Sequence, residues 1–193
     1  MRESSTLDIA GVDLSDDRYV VEQNLVRNKY RAYDADGSVV LRGKQKLFRM
    51  KEEFPFEAGD GSDAFTVKAG GIVDVAGNYL LSDTQTGEEL VVLDNDFSLL
   101  QDVWRIRDAA TEAVLAEITS RGAAVTLARN VLPFGELIPH KYEITDGTGG
   151  HVGRIEGEFA IKDRYEIRID DATDVPAEAV VASAMVIDAI QGN

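Results

Sequence analysis

Cysteine is absent from the 193-residue chain, which excludes disulfides, thiolate metal sites and a cysteine nucleophile. Histidine occurs only twice, too rarely for an imidazole-rich metal centre. No run approaches the ~18 apolar residues of a membrane-spanning helix. The opening stretch MRESSTLDIAGVDLSDD lacks the apolar core of a secretory signal, so the expected location is the cytoplasm. Positive charge is also scarce: 35 Asp and Glu stand against 20 Lys and Arg, for a net charge of −15. A field of that sign repels nucleic acids and anionic membranes over most of the surface. What the chain does have is a 44% hydrophobic fraction, enough for a packed core, and a length suited to one domain.

The acidic residues fall in turns and at alternate strand positions such as Asp94, Asp96, Glu156, Glu158 and Asp163. Such a surface fits high salt, where screening removes the self-repulsion that the charge imposes in dilute buffer.

Short segments of alternating polarity, separated by turn residues, fill the chain from about residue 16 to residue 169, the pattern of an antiparallel all-β domain. Tyr30 and Ala32 lead into Asp34-Ala35-Asp36-Gly37, a hairpin turn, followed by Val39 and Leu41. Comparable units occur at Tyr79/Leu81 with Thr86-Gly87, Trp104/Ile106 with Asp108, and Tyr142/Ile144 with Asp146-Gly147-Thr148-Gly149. About twelve strands result. A loose repeat, an aromatic followed four residues later by Asp and then a Gly-containing turn, occurs at Tyr30, Tyr79 and Tyr142. Its irregular spacing reads as shared hairpin grammar rather than duplication. Residues 1–15 read as a flexible acidic tail, and residues 16–193 as one domain.

Residues 176–190, PAEAVVASAMVIDAI, form a helix with Pro176 at its start and Gly192 beyond its end. Val180, Val181, Ala184, Met185, Val186, Ile187 and Ile190 are distributed around the whole circumference rather than along one stripe. Such a helix must be enclosed on all sides. Fifteen residues span only ~22 Å against a bilayer core of ~30 Å, and Glu178 and Asp188 lie within them, which leaves the sheet as the enclosing material. A closed antiparallel barrel of about twelve strands is wide enough to need a filling. The fold class is therefore mainly β, a closed barrel around a buried C-terminal helix.

The hairpin Tyr30-Arg-Ala-Tyr-Asp34-Ala-Asp-Gly37, the segments Phe65-Thr-Val-Lys68 and Trp104-Arg-Ile-Arg-Asp108, and the ending Asp163-Arg-Tyr-Glu-Ile-Arg-Ile169 followed by the apolar helix resemble the LURP-one-related proteins. The resemblance runs from about Tyr19 to Ile190. That family belongs with the Tubby C-terminal domain and the phospholipid scramblases, and it implies a Tubby-like barrel threaded by a C-terminal helix. For function it implies phosphoinositide binding on the Tubby side, and lipid movement and calcium on the scramblase side. The chain departs from the scramblase pattern in having no proline-rich opening, no cysteines for lipidation and no apolar membrane-spanning tail.

Signatures of catalysis are missing. Asp34-Ala-Asp36 and Asp94-Asn-Asp96 begin like calcium loops, but their sixth positions are Val39 and Leu99 instead of Gly and their twelfth Gln45 and Arg105 instead of Glu. Gly147-Thr-Gly149-Gly150 joins two strands and lacks the third glycine of a dinucleotide loop. His140 and His151 lie ~17 Å apart along one hairpin and cannot share a metal ion. Asp188, on a buried helix, is either an acid with a raised pKa or a residue that reaches a donor near the barrel rim. No catalytic residue, metal or cofactor is expected.

One window departs from the acidic background. Between Arg27 and Lys51 lie eight basic residues and two acidic ones. Arg27, Lys29 and Arg31 share one strand face, and Arg42, Lys44 and Lys46 share a face of the next. Pairing residue 34 with 37 sets Lys29 opposite Arg42, Arg27 opposite Lys44, Tyr30 opposite Leu41 and Ala32 opposite Val39, with apolar meeting apolar. Like charges across strands call for counter-anions, supplied either by acidic neighbours within the fold or by a ligand. The leading expectation is a non-catalytic binding or scaffold module that takes an anionic lipid head group or another polyanion at Arg27, Lys29, Arg31, Arg42, Lys44 and Lys46. A scramblase-like lipid handler and an enzyme acting at the barrel mouth are the alternatives. Nucleic acid is disfavoured because Tyr30 and Tyr33 do not both lie on the cationic side.

If the acidity is an adaptation to salt, the melting temperature rises as KCl goes from dilute to molar, beyond the first screening of the surface. A melting temperature flat over that range identifies the charge as ordinary solubility.

Overall fold

A computed structural model describes Val12, residues 14–24, 29–44, 53–69, 78–97, 102–120, 141–158, 164–170 and 175–191. These form twelve strands and one helix: β1 (Arg18–Asn24), β2 (Lys29–Tyr33), β3 (Val39–Lys44), β4 (Glu53–Ala58), β5 (Asp63–Ala69), β6 (Asn78–Asp83), β7 (Glu89–Phe97), β8 (Asp102–Asp108), β9 (Val114–Ser120), β10 (Lys141–Asp146), β11 (His151–Glu158), β12 (Arg164–Ile169) and α1 (Ala177–Gln191). Each strand pairs antiparallel with its neighbours in sequence, and β1 pairs with β12, which closes the barrel. Closure removes the unpaired edges through which sheets aggregate.

The helix lies inside. Every residue from Ala179 to Ile187 is buried, so the all-round apolar character of its sequence is matched by an all-round apolar wall. Val21, Leu41, Phe65, Leu81, Leu93, Ile106, Ile118, Ile144 and Ile167, one from each of nine strands, are essentially inaccessible and line that wall. Room is tight at Gly43, where a Cβ would come 3.0 Å from Phe56 and 3.4 Å from Met185 of the helix. Phe56 in turn stacks on Phe65 with ring centroids 4.5 Å apart. At the helix's first turn Glu178 accepts a hydrogen bond from the Leu14 N–H (3.1 Å), and Leu14 itself is buried against the core.

The β2–β3 hairpin corrects the register expected from sequence. Asp34 N–H donates to Ser38 O, and Gly37 N–H to Asp34 O, so the turn closes on residue 38 with Gly37 in the left-handed region at φ 82°. Val40 is then skipped as a bulge, because Tyr33 pairs with Val39 but Ala32 pairs with Leu41. Each departure shifts the pairing by one residue, and together they restore the parity of the faces. Lys29 therefore faces Lys44 rather than Arg42, Arg31 faces Arg42, Tyr30 faces Gly43 rather than Leu41, and Ala32 faces Leu41 rather than Val39.

The same construction recurs in the hairpins β4–β5, β6–β7, β8–β9 and β10–β11. Each has a residue of positive φ before the second strand and then a skipped apolar residue: Ala64, Leu90, Leu115 and Val152. An aromatic side chain precedes each turn by four residues, at Tyr30, Phe54, Tyr79, Trp104 and Tyr142, so the aromatic of the repeat seen three times in sequence is present in all five hairpins, with Ala58 in place of Asp in β4–β5 and Glu112 in place of Gly in β8–β9. Alternation of strand direction puts these five turns on one rim. Asp34, Asp83, Asp108 and Asp146 hold their turns by accepting backbone N–H bonds on one carboxylate oxygen, the local bonding that favours Asp in turns.

Four of the five positive-φ positions are glycine, and the fifth is Glu112 at φ 60°. A side chain in that region costs ~1–2 kcal/mol, partly offset by the extra freedom that glycine brings to the unfolded chain. Glu112→Gly is expected to stabilise the protein by about 0.5–1 kcal/mol, read as a rise in the melting temperature; an unchanged or lower value refutes the strain.

Candidate functional site

The outer face of β1–β3 is organised in rows, because residues two apart on a strand share a face and ladder partners extend that face sideways. The row farthest from the turn rim runs Asn24, Lys29, Lys44. Next to it runs Arg164, Glu22, Arg31, Arg42, Glu57, from β12 to β4. The third, nearer the rim, is Val20, Tyr33, Val39. Lys29 and Arg31 are exposed, Arg42 is half-buried, and Lys44 holds the position opposite Lys29. Arg27 and Lys46 lie outside the described residues.

Lys29, Arg31, Arg42 and the position of Lys44 thus share one face, as the alternation predicts, and among the described residues register places acids beside the cations of the Arg31–Arg42 row. Glu22 adjoins Arg31 and Glu57 adjoins Arg42. Arg42 leans toward the β4–β5 turn, where its Nη1 is 3.5 Å from a Cβ built at Gly61. The Asp60 carboxyl there is held below its usual range, chiefly by the Ser62 hydroxyl and N–H, with a smaller contribution from Arg42. Arg42 accordingly has acidic company, whereas among the described residues the row of Lys29 and Lys44 has none in register.

A second cationic row is invisible to sequence windows. Arg18, Arg168 and Arg154 stand side by side on β1, β12 and β11, with Arg18 joined to the other two by barrel closure. Each has a carboxylate partner. Glu166 takes Arg18 at 2.6 Å and also binds Arg168, while Arg154 reaches Asp170 at 3.3 Å. Burial pushes the Glu166 carboxyl upward, but the hydrogen bonds from Arg168 and Arg18 and their charges outweigh it, and the pKa falls below the ordinary value. His151 is exposed between Glu143 (3.3 Å) and Asp170 (3.1 Å); His140 lies outside the described residues.

A groove of ≈ 280 Å³ lies between these two cationic rows, lined chiefly by Arg18, Val20, Glu22, Tyr33, Asp34 and Arg164. Inside the barrel, Asp188 faces Tyr165. The Tyr165 phenol is raised well above its ordinary pKa, first by burial, then by the Asp188 carboxylate and the neighbouring Tyr30 and Tyr142. Asp94, the start of one calcium-like sequence, is instead bound by Arg107. Among the described residues, no group of His, Asp or Glu is placed to hold a metal ion, and no helix is long and apolar enough to cross a membrane.

The barrel, its enclosed helix and the sequence agree on a family: a model of the LURP-one-related proteins matches residues 39–188, and the chain belongs to that family. A similar architecture is seen in an X-ray structure of a protein from Arabidopsis thaliana, which aligns over 95% of this chain and 99% of that one with a TM-score of 0.57. At 9% identity the likeness is one of fold. No curated protein matches the chain.

Because the Glu166 pKa is lower folded than unfolded, its stabilisation is present above the unfolded value near 4.3 and is lost as pH falls through the folded one. Glu166→Gln is expected to cost about 1–2 kcal/mol at pH 7 and to flatten the acid limb of stability below about pH 5. Parallel acid limbs for variant and wild type, in urea melts at several pH values, would show that the paired arginines do not act on Glu166.

Proposed function

We propose that the protein is a non-catalytic binding module that takes an anionic ligand, such as a phosphorylated lipid head group, on the outer face of the β2–β3 hairpin. The observation that carries this reading is the row of Lys29 and Lys44, with exposed Lys29 beside exposed Arg31 and, among the described residues, no carboxylate in register with the two lysines. Like charges facing each other across a ladder destabilise it unless an anion intervenes. In a chain of net charge −15, a local exception of this kind is the natural seat for a phosphate, which amine and guanidinium groups bind through charge-assisted hydrogen bonds. Arg42 supports the site from the side, and Arg27 and Lys46 extend the cationic sequence beyond it. The placement of the helix supports a surface ligand too, since the barrel's interior is occupied by the chain itself.

Calorimetric titration with inositol trisphosphate tests the reading. Wild type is expected to bind, with affinity falling as salt rises, and the Lys29→Gln, Arg31→Gln, Lys44→Gln triple variant is expected to lose at least tenfold while keeping its circular dichroism. Absence of binding by wild type, or equal binding by both proteins, refutes the site.

A further inference from the structure

Two polar side chains on the inner wall take no part in the chemistry of the outer faces. Asn95 of β7 and Trp104 of β8 are ladder partners. They belong to the inner face, because Val91, Leu93 and Ile106 share their alternation and are buried, whereas Asp94 and Arg107 pair on the outside. Trp104 is only 1% exposed. Its indole N–H and both ends of the Asn95 carboxamide are buried and meet no hydrogen-bond partner in the protein. Groups in that condition are rare, since a buried donor or acceptor left unpaired forfeits the bonds it made to water. The pair sits near the ends of β7 and β8 that lie opposite the rim of the five turns. Helix α1 fills the axis of the barrel but does not seal the wall at this mouth, where Asn95 and Tyr79, both on the inner face, are half-buried. The Tyr79 and Trp104 rings lie 6.1 Å apart, tilted by 37°, and form an apolar flank beside the polar pair.

We infer that this mouth of the barrel binds a small neutral molecule carrying a secondary amide, as a lactam does. The count of hydrogen-bonding groups selects that chemistry. Trp104 and the Asn95 nitrogen offer donors, and the Asn95 oxygen offers an acceptor. An amide carbonyl has two lone pairs and takes both donors, while the amide N–H donates to the Asn95 oxygen, so one planar group satisfies all three. A carboxylate has no proton for that oxygen, an ammonium has no acceptor for the two donors, and a ketone leaves the Asn95 oxygen unpaired. The carbon skeleton of the ligand rests beside the Tyr79 and Trp104 rings. This site is separate from the cationic hairpin, which presents the outer face of β2 and β3.

Trp104 is the chain's single tryptophan, so its indole N–H is one assignable resonance at the site itself. The test titrates δ-valerolactam and cyclohexanone, which keeps the ring and the carbonyl but lacks the N–H, into isotope-labelled wild type and Asn95→Leu. In wild type the lactam is expected to move the indole proton downfield with saturation at roughly millimolar concentration, ordinary for so small a ligand, and cyclohexanone to bind at least tenfold more weakly. Asn95→Leu is expected to lose at least tenfold in lactam affinity while its melting temperature holds or rises, because the substitution removes a buried unpaired amide. Equal binding of the two compounds by wild type, a comparison that needs no variant, overturns the site, as does a lactam affinity unchanged in Asn95→Leu. An indole proton that the lactam leaves in place and that contacts a long-lived water also overturns it, since the pair then holds water only.

Discussion

A helix that is apolar on every side cannot rest on a surface; it has to be surrounded, and in this protein only the sheet can do it. Burial from Ala179 through Ile187 needs a wall continuous around the helix, hence the β1–β12 pairing that turns a meander into a barrel. The dependence is mutual. A twelve-stranded barrel without a filling would leave Leu41, Ile106 and Ile167 facing a void, and cavities in a core cost stability in proportion to their volume. Small side chains at Ala179, Ala182 and Ala184 and the missing side chain at Gly43 let helix and wall approach as closely as they do.

Filling the interior removes the space in which barrels commonly hold a ligand. Most barrels that bind ligands do so in their mouths or lumens. Here the lumen belongs to α1. Much of the outer face of the strands is spent on the fold itself: Arg105 pairs with Glu117, Arg107 with Asp94, and Arg18 and Arg168 share Glu166. The acidic turns are likewise engaged, since Asp108 and Asp146 bind the backbone of their own loops and are thereby held below the usual carboxylate range. The lysine row of the β2–β3 hairpin stands apart from this pattern, because its in-register neighbour on β1 is Asn24.

Architecture was legible in the sequence because it rests on local signals. Period-two alternation locates strands, turn residues punctuate them, and the circumference of residues 176–190 implies enclosure. Register was less legible. The parity of the faces in the β2–β3 hairpin follows from alternation, but the pairing of Lys29 with Lys44 depends on Gly37 and on the bulge at Val40, and a bulge leaves no mark in an apolar Val-Val-Leu run. The Arg18–Arg168–Arg154 row was not legible at all, since closure joins residues from opposite ends of the domain. The groove over Val20 and Tyr33 was hidden for the same reason, as one of its walls comes from β12.

Chain order adds a consequence for how the protein comes into being. α1 follows all twelve strands, so on the ribosome the entire wall is synthesised before its contents. Synthesis runs at ~5–20 residues per second, which leaves the nascent sheet without its core for seconds. During that interval the apolar faces of twelve strands and two unpaired margins, β1 and the growing end, are open to other chains. The last segment to emerge is thus the one that ends the exposure, and premature termination before residue 177 would release a product that is all wall.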